Sequence, residues 1–219
     1  PEWFPEKLLT RYSTTTKDEF SRAARIYTSD EHRVGRESID YDAIKIIRRL
    51  RRYGHRAYIV GGAVRDLLTG RAPKDVDIAT DATPNRIRKL FRNSRIIGKR
   101  FKLAHIYFQN KIIEVSTFRS LSSTSENTIY GSLDDDVQRR DFTINALYYC
   151  PIDELVIDYV GGYRDIKRKK IRPVIPLKRI FSEDPVRMIR AVKYAELTGF
   201  EIPPRVVRKI RSDAPLLAD

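Results

Sequence analysis

Two aspartates separated by one residue, Asp75 and Asp77, are the side chains of this 219-residue sequence best placed to bind a metal ion. They lie in the segment KDVDIA, whose apolar residues predict a strand over 76–79. Residues two apart in a strand point to the same face, so both carboxylates can reach one metal centre. Magnesium prefers hard oxygen ligands and commonly shares them with substrate phosphates. The pair therefore predicts a Mg²⁺ site that acts on a phosphorylated substrate.

A glycine pair, Gly61 and Gly62, lies shortly upstream in the segment GGAVRD. The pattern predicts a buried strand over 57–60 before the glycines and a helix over 63–68 after them. Glycines at a strand-to-helix turn let backbone N–H groups approach a phosphate, and Arg65 follows one helical turn later. A phosphate-binding turn beside paired carboxylates is the combination that nucleotidyl transfer requires.

Glu114 is a third candidate carboxylate, in a predicted strand over 112–118. Its neighbours Ile112, Ile113 and Val115 are apolar, so the glutamate is either a metal ligand or a solvated residue at the sheet edge. We favour the ligand, because the strand can present Glu114 on the same face as other polar groups.

The segment RRDFTINAL supplies the next candidates, Arg140, Asp141 and Asn145. Arginine binds phosphate through two parallel hydrogen bonds, and two arginines precede the aspartate here. The pattern predicts a helix over 141–149, on which Asp141 and Asn145 share a face and can hydrogen-bond a ribose. A carboxylate at a helix start can also be an ordinary cap.

The segment EDPVRMIRAVK places charged residues at every third position of a predicted helix. They are Asp184, Arg187, Arg190 and Lys193. One interpretation is a solvated helix face with ion pairs three residues apart. The other is a nucleotide-binding face, in which a carboxylate and a guanidinium pair with the edge of a base.

Strands alternate with helices up to about residue 172, which predicts an α/β (α+β) fold around a mixed sheet. Only helical patterns follow residue 181. We therefore predict an N-terminal extension over 1–40, a catalytic head over 41–172 and the start of an all-helical neck over 173–219.

Composition limits the function classes. The 43 lysines and arginines exceed the 29 acidic residues, which gives a net charge of +14, and no acidic residue occurs between residues 82 and 113. Such a block favours nucleic acid as the partner. The single cysteine excludes an internal disulfide framework. No apolar run reaches the roughly 20 residues of a membrane span, so we expect a cytoplasmic protein without a membrane partner.

The order of GGAVRD, DVD, RRDFTINAL, DYVGG and EDPVRMIRA resembles the class II nucleotidyltransferases, the family of bacterial poly(A) polymerases and CCA-adding enzymes. The resemblance covers about residues 41–200. The segments LFRN and IGKRFKLAH look more like the poly(A) polymerase branch.

The resemblance implies a fold and a set of roles. The fold would be a nucleotidyltransferase head with a mixed sheet, followed by a helical neck. Asp75 and Asp77 would be the metal-binding catalytic pair, with Glu114 and Asp141 as further essential acids. Together with the patterns above, the expected nucleotide contacts are Gly61, Gly62, Arg65, Arg140, Asn145, Asp184, Arg187 and Arg190.

The predicted activity is template-independent addition of AMP from ATP to an RNA 3′ end, with release of pyrophosphate. Two Mg²⁺ ions would activate the 3′-hydroxyl and neutralise the leaving group. The alternative within the family is a CCA-adding or A-adding tRNA nucleotidyltransferase. Outside it, the aspartate pair also suits a glycosyltransferase that binds sugar nucleotides, and the basic surface suits an RNA-binding module without catalysis. The oligomeric state is not predicted.

Overall fold

The structure is a computed structural model that describes residues 12–13, 24–99, 102–122 and 129–218. Within these residues, nine strands form one sheet in the order β1-β2-β9-β8-β3-β4-β7-β6-β5. The strands are β1 Tyr12–Ser13, β2 Ala24–Tyr27, β3 Ala57–Val60, β4 Asp77–Thr80, β5 Ser94–Ile97, β6 Leu103–Tyr107, β7 Ile112–Thr117, β8 Leu147–Cys150 and β9 Leu155–Asp158. Only β4 and β7 pair in parallel among these described strands. The predicted α/β class with a mixed sheet is confirmed.

The helices of the described ranges surround this sheet and continue beyond it. They are α1 Ser29–His32, α2 Tyr41–Arg52, α3 Gly62–Leu68, α4 Pro84–Leu90, α5 Leu133–Gln138, α6 Gly162–Lys167, α7 Leu177–Glu183, α8 Val186–Thr198 and α9 Pro204–Asp213. Short 3-10 turns span Arg36–Ser38, Thr143–Asn145 and Ala214–Leu217. None of the helices described is long and apolar enough to cross a membrane.

The two faces of the sheet carry different neighbours. On one face, α2 and α4 belong to the same apolar core as Ile78, Ala104 and Val115. On the other face, α5 packs with Val60 and Ala79. Because side chains alternate along a strand, the odd-numbered residues of β4 point towards the α5 side. This alternation places Asp77 on that side, and the same alternation in β7 places Glu114 there too.

The predicted helix over 141–149 is wrong. A 3-10 turn, Thr143–Asn145, leads directly into strand β8 at Leu147–Cys150. This strand lies between β9 and β3, and all four of its residues are buried. A strand buried on both faces has no polar alternation, so its apolar run resembles a buried helix in the sequence. Asp141 and Asn145 therefore do not share a helix face.

The predicted N-terminal extension over 1–40 is partly integrated into the sheet. Strand β2 pairs with β9, and the buried His32 ring nitrogen Nε2 lies 3.0 Å from the carbonyl oxygen of Glu154. Residues 24–40 therefore pack with the sheet. Residues 1–11 and 14–23 lie outside the described part of the chain.

Helices α7, α8 and α9 share the apolar core of the sheet. Phe181 and Met188 are buried in the same cluster as Ile78. Arg71 Nη1 donates to the carbonyl oxygen of Leu197 at 2.7 Å, and the rings of Phe142 and Tyr194 meet edge to face at 5.9 Å. The helices that follow residue 172 pack onto the head. A separate neck domain over 173–219 therefore remains a proposal.

Candidate active site

A cavity of about 560 Å³ opens beside the carboxyl-terminal half of β7 and the helix α8. It gathers residues from the turn before α3, from β4, from β7, from the RRDFTIN segment and from α8. The sequence-predicted residues that line it are Gly61, Gly62, Arg65, Asp77, Glu114, Arg140, Asp141, Asn145 and Arg190. The predicted residues Asp75, Asp184 and Arg187 do not line it.

Asp77 and Glu114 lie directly opposite each other in the parallel pair β4–β7. Desolvation raises the pKa of Asp77, and the charges of Glu114 and Asp75 raise it further, whereas Arg140 lowers it. Glu114 also lies near His105, with its Oε2 atom 3.3 Å from the ring Nε2. Asp75 is exposed just before β4 and faces a neighbouring surface depression. The carboxylates thus repel one another, which a bound cation would relieve.

The donor chemistry fits a divalent ion that also binds substrate. Asp75 and Asp77 offer hard carboxylate oxygens, and Arg140 is the cation that acts on Asp77 in this structure. Among the described residues, no group of three or more side chains is arranged to hold a metal ion by itself. Mg²⁺ commonly binds through one or two carboxylates and completes its shell with phosphate oxygens and water. Asp77 and Glu114 line the cavity, whereas Asp75 precedes β4 and lines the neighbouring depression, so the expected shared face of Asp75 and Asp77 is not seen in the strand itself. The chemistry of these carboxylates suits Mg²⁺ bound together with a nucleotide rather than an all-protein metal site.

The glycine turn forms one wall of the cavity. Gly61 has φ 69° and ψ −136°, a conformation that side chains other than glycine rarely adopt. The buried Arg65 donates from Nη1 to Asn145 Oδ1 at 2.8 Å and from Nη2 to Asp66 Oδ1 at 2.8 Å. Arg65 thus holds Asn145 at the cavity wall as well as contributing positive charge.

The arginines form the opposite wall. Arg140 donates from Nε to the Tyr148 hydroxyl at 2.8 Å and from Nη2 to Asp136 Oδ2 at 2.9 Å. Burial lowers the pKa of Arg119, as do the neighbouring guanidinium groups of Arg139 and Arg140. Arg119, Arg139 and Arg140 all line the cavity, and this concentration of positive charge favours a polyanion.

Several cavity residues were not predicted as site residues. Arg119, Lys102 and Tyr130 line the cavity. Lys102 lies in the segment IGKRFKLAH, which indicated the poly(A) polymerase branch but no site role, and Arg119 and Tyr130 belong to none of the motifs described above. The one feature of the sequence that could have indicated Arg119 is that it comes shortly after the strand that carries Glu114. Sequence spacing alone does not show which side of the sheet such a residue reaches.

Helix α8 contributes the cavity residues Arg190, Lys193, Tyr194 and Leu197, which lie on one helix face. The Tyr194 hydroxyl donates to Asp141 Oδ2 at 3.2 Å, and burial together with Asp141 raises the pKa of Tyr194 to about 12. Arg190 Nη1 lies 3.8 Å from the same carboxylate oxygen. Asp141 therefore connects the sheet to α8.

The four charged residues predicted at every third position do not all reach the cavity: Arg190 and Lys193 line it, whereas Asp184 and Arg187 do not. Steps of three residues drift by roughly 60° each around an α-helix, so its ends face different directions. Asp184 Oδ1 accepts from the Val186 backbone N–H at 3.1 Å at the start of the helix. Arg187 donates to the carbonyl oxygens of Ile180 and Arg139, each at 3.3 Å. Of the three predicted base contacts, Arg190 reaches the cavity.

The DYVGG segment packs against the 3-10 turn that follows Asp141. Both carboxylate oxygens of Asp158 accept backbone N–H groups from the turn that opens α6, at 2.7 to 3.0 Å. A side chain at Gly162 would bring its Cβ within 2.1 Å of the Thr143 carbonyl oxygen. The close approach lets α6 pack against the 3-10 turn that follows Asp141, and the Thr143 hydroxyl donates to Asp165 Oδ2 at 2.6 Å.

Comparison with known proteins agrees with these features. A family model described as the Poly A polymerase head domain matches residues 57–172. Poly(A) polymerase I from Salmonella typhi is 42% identical over 233 residues, which covers 99% of this chain and 50% of that protein. The CCA-adding enzyme from Bacillus subtilis (strain 168) is 39% identical over 188 residues, which covers 83% of this chain and 47% of that enzyme. The chain spans about half the length of the curated relatives it matches.

A solved structure of a relative has a similar fold. The crystal structure of the Bacillus stearothermophilus CCA-adding enzyme in complex with CTP matches with a TM-score of 0.74 and 40% identity, over 80% of this chain and 44% of that chain. Its fold supports the arrangement of sheet and helices described above. The chain therefore belongs to the poly(A) polymerase head-domain family, within the class II nucleotidyltransferases that include poly(A) polymerases and CCA-adding enzymes.

Proposed function

We propose that this protein adds AMP from ATP to RNA 3′ ends without a template and releases pyrophosphate. The observation that carries the proposal is one cavity lined both by the carboxylates Asp77 and Glu114 and by three arginines, Arg119, Arg139 and Arg140. Carboxylates that hold a divalent ion and guanidinium groups that hold phosphates are the two parts that nucleotidyl transfer needs. The identity to Poly(A) polymerase I supports AMP as the transferred group.

The residues of this chain act by positioning and electrostatics. Asp75 and Asp77 would hold Mg²⁺, which when bound lowers the pKa of the 3′-hydroxyl and neutralises charge on the triphosphate. Arg139 and Arg140 would bind phosphate oxygens and orient the α-phosphorus towards the hydroxyl. Asp141 would hold the ribose side of the site. The reaction would take place in the cytoplasm on mRNA or tRNA.

The base-recognition role belongs to α8 in this proposal. Arg190 lines the cavity and is the strongest of the three predicted base contacts. Arg187 would act through position, since its guanidinium bonds to backbone carbonyls of Ile180 and Arg139. Asp184 would fix the first turn of the same helix.

The second candidate function is CCA or A addition to tRNA. It is favoured by the 39% identity to the Bacillus subtilis CCA-adding enzyme and by the likeness to a relative solved with CTP. The two functions differ in the nucleotide that they accept and in the primer that they extend.

One assay tests both. The protein is incubated with Mg²⁺, each nucleoside triphosphate in turn, and either oligo(A) or a tRNA that lacks its terminal adenosine. Long ATP-dependent extension of oligo(A) supports poly(A) addition. CTP incorporation, or a single adenosine added to the tRNA alone, identifies the CCA or A-adding function instead.

A substitution then tests the site. We expect Asp77→Asn to lower AMP transfer by about three orders of magnitude, because charge stabilisation at such a site is worth several kcal/mol. ATP binding by the arginine wall should partly survive. The matched control is Asp81→Asn, just after the end of the same strand, where the carboxylate bonds to His55 and Arg56 outside the cavity. Full transfer by Asp77→Asn would remove the metal-pair assignment.

A further inference from the structure

Two adjacent basic depressions lie outside the active-site cavity. The first, of about 470 Å³, is lined by residues that include Lys45, Arg48, Arg49, Arg52, Tyr53 and Phe91. The second, of about 440 Å³, is lined by residues that include Arg88, Arg92, Arg95 and Tyr107. Asn93 lines both, so the two depressions are adjacent, and together they are called the basic groove here. No aspartate or glutamate is among the described residues that line them.

Cations and aromatic rings alternate along this basic groove. Arg49 lies over the Phe91 ring with 5.5 Å between its Cζ atom and the ring centroid. Arg95 lies 5.8 Å from the Tyr107 centroid, measured in the same way. Beside the first depression, Tyr53 is 47% exposed. Proteins that bind single-stranded nucleic acid combine a positive groove with rings on which bases stack.

Side chains of β6 connect the basic groove to the catalytic face of the sheet. Tyr107 and His105 lie on the face of β6 opposite to Ala104 and Ile106, and their rings are 6.5 Å apart. His105 in turn contacts Glu114 at 3.3 Å, in the wall of the cavity. Helices α2 and α4 pack on the other face of the sheet. Tyr107, which lines the second depression, is therefore connected through His105 to Glu114 on the carboxylate side of the sheet.

We propose that the basic groove binds single-stranded RNA upstream of the 3′ end that enters the cavity. Phosphates would contact the arginines of α2, of α4 and the turn after it, and of β5, and bases would stack on the exposed Tyr53 and the half-buried Tyr107. The inference rests on the proposed function, because the cavity defines where the 3′ end lies. It predicts that primers long enough to leave the cavity gain affinity from this surface.

The test is a triple charge reversal, Arg88→Glu, Arg92→Glu and Arg95→Glu, none of which lines the active-site cavity. The matched control reverses three exposed cations at the end of α6, Lys167→Glu, Arg168→Glu and Lys169→Glu. Both triples change the net charge by the same amount. Binding of a long oligo(A) and of a trinucleotide is measured by fluorescence anisotropy with EDTA at several salt concentrations, after thermal melting has confirmed folding.

We expect the groove triple to weaken binding of the long oligo(A) by about 100-fold at low salt, and each lost phosphate contact to reduce the salt slope by ~0.7. Trinucleotide binding should not change. Tyr107→Ala should weaken binding of the long oligo(A) about tenfold through lost stacking, without any change in charge.

Three outcomes would overturn the inference: equal weakening by the α6 triple, unchanged long-RNA binding by the groove triple, or equal loss of trinucleotide and long-RNA binding. Failure of the proposed function would look different. In that case the unsubstituted protein would bind long RNA through the groove but transfer no AMP to any primer.

Discussion

Arg140 brings a partly buried positive charge to the cavity wall near Asp77, a proposed metal ligand. Burial by itself lowers the pKa of this guanidinium, but Tyr148 and Asp136 outweigh that effect and raise it above the ordinary value. The Tyr148 hydroxyl also donates to Asp136 Oδ2 at 2.6 Å, so the three groups form a closed hydrogen-bonded set. A charge removed from water is tolerated when its partners satisfy it, and this set keeps Arg140, the proposed phosphate-binding arginine, charged and oriented.

Two adjacent tyrosines of β8 allow this set to be tested. Tyr148→Phe removes the acceptor of Arg140 Nε, so we expect a loss of about 1–3 kcal/mol in the free energy of unfolding. Tyr149 is equally buried, and its hydroxyl has no hydrogen-bond partner among the described residues. Tyr149→Phe should therefore be neutral or slightly stabilising. Urea denaturation measures both, and equal losses would contradict the assigned role of Tyr148.

At the scale of secondary-structure elements, α3 shows how the sequence positions the site. The helix has seven residues, and glycines with positive φ flank it, Gly61 at 69° and Gly70 at 73°. These turns let a short helix leave the sheet and end without strain. The helix carries Arg65, whose hydrogen bond to Asn145 links it to the 3-10 turn before β8.

The two glycines should respond differently to substitution. Gly61→Ala and Gly70→Ala should each cost of order 1–3 kcal/mol, because alanine is strained at positive φ. Only Gly61→Ala should weaken ATP binding, since its Cβ would lie in the cavity wall 3.8 Å from Arg140 Nη1. A Cβ at Gly70 meets nothing within 4 Å. Thermal melting and ATP titration separate the effects, and equal weakening by Gly70→Ala would assign the effect to helix packing.

At the scale of the whole molecule, Cys150 reports on the integrity of the sheet. It ends β8, is 1% exposed, and its Sγ atom lies 3.1 Å from both Arg51 Nη1 and Asp153 Oδ2. Burial raises the pKa of this thiol to about 11. The raised pKa means that the folded state disfavours the thiolate. The contribution of the protonated Cys150 thiol to the free energy of unfolding is therefore complete below about pH 8.5, the ordinary thiol pKa, and is lost as the pH rises through the pKa of the folded state.

Alkylation of this single cysteine should therefore follow global unfolding. At pH 8.5 we expect iodoacetamide to react at least about 100-fold more slowly with the folded protein than with the protein in urea, because only the thiolate reacts. The reaction rate across a urea series should parallel the loss of circular dichroism. Rapid alkylation before that transition would show that β8 opens independently of the rest of the sheet.

Local motifs in the sequence determined the family, the mixed sheet and nine of the residues that line the cavity. The turn at Gly61, the carboxylate Asp77 and the guanidinium of Arg140 all lie in the cavity, because short segments set their positions next to a strand or helix end. Helix α3 was predicted for the same reason, since the segment that forms it directly follows the glycine turn.

The tertiary structure alone decided those features that depend on packing between segments far apart in the sequence. Strand β8 was mistaken for a helix, because burial on both faces removes the alternation that identifies a strand. Arg119 lines the cavity and Arg187 does not. The order of the strands decides the position of Arg119, and the rotation of α8 about its axis decides that of Arg187. The spacing of residues in the sequence shows neither of these. The path from Tyr107 through His105 to Glu114 exists only once β6 and β7 are paired in register.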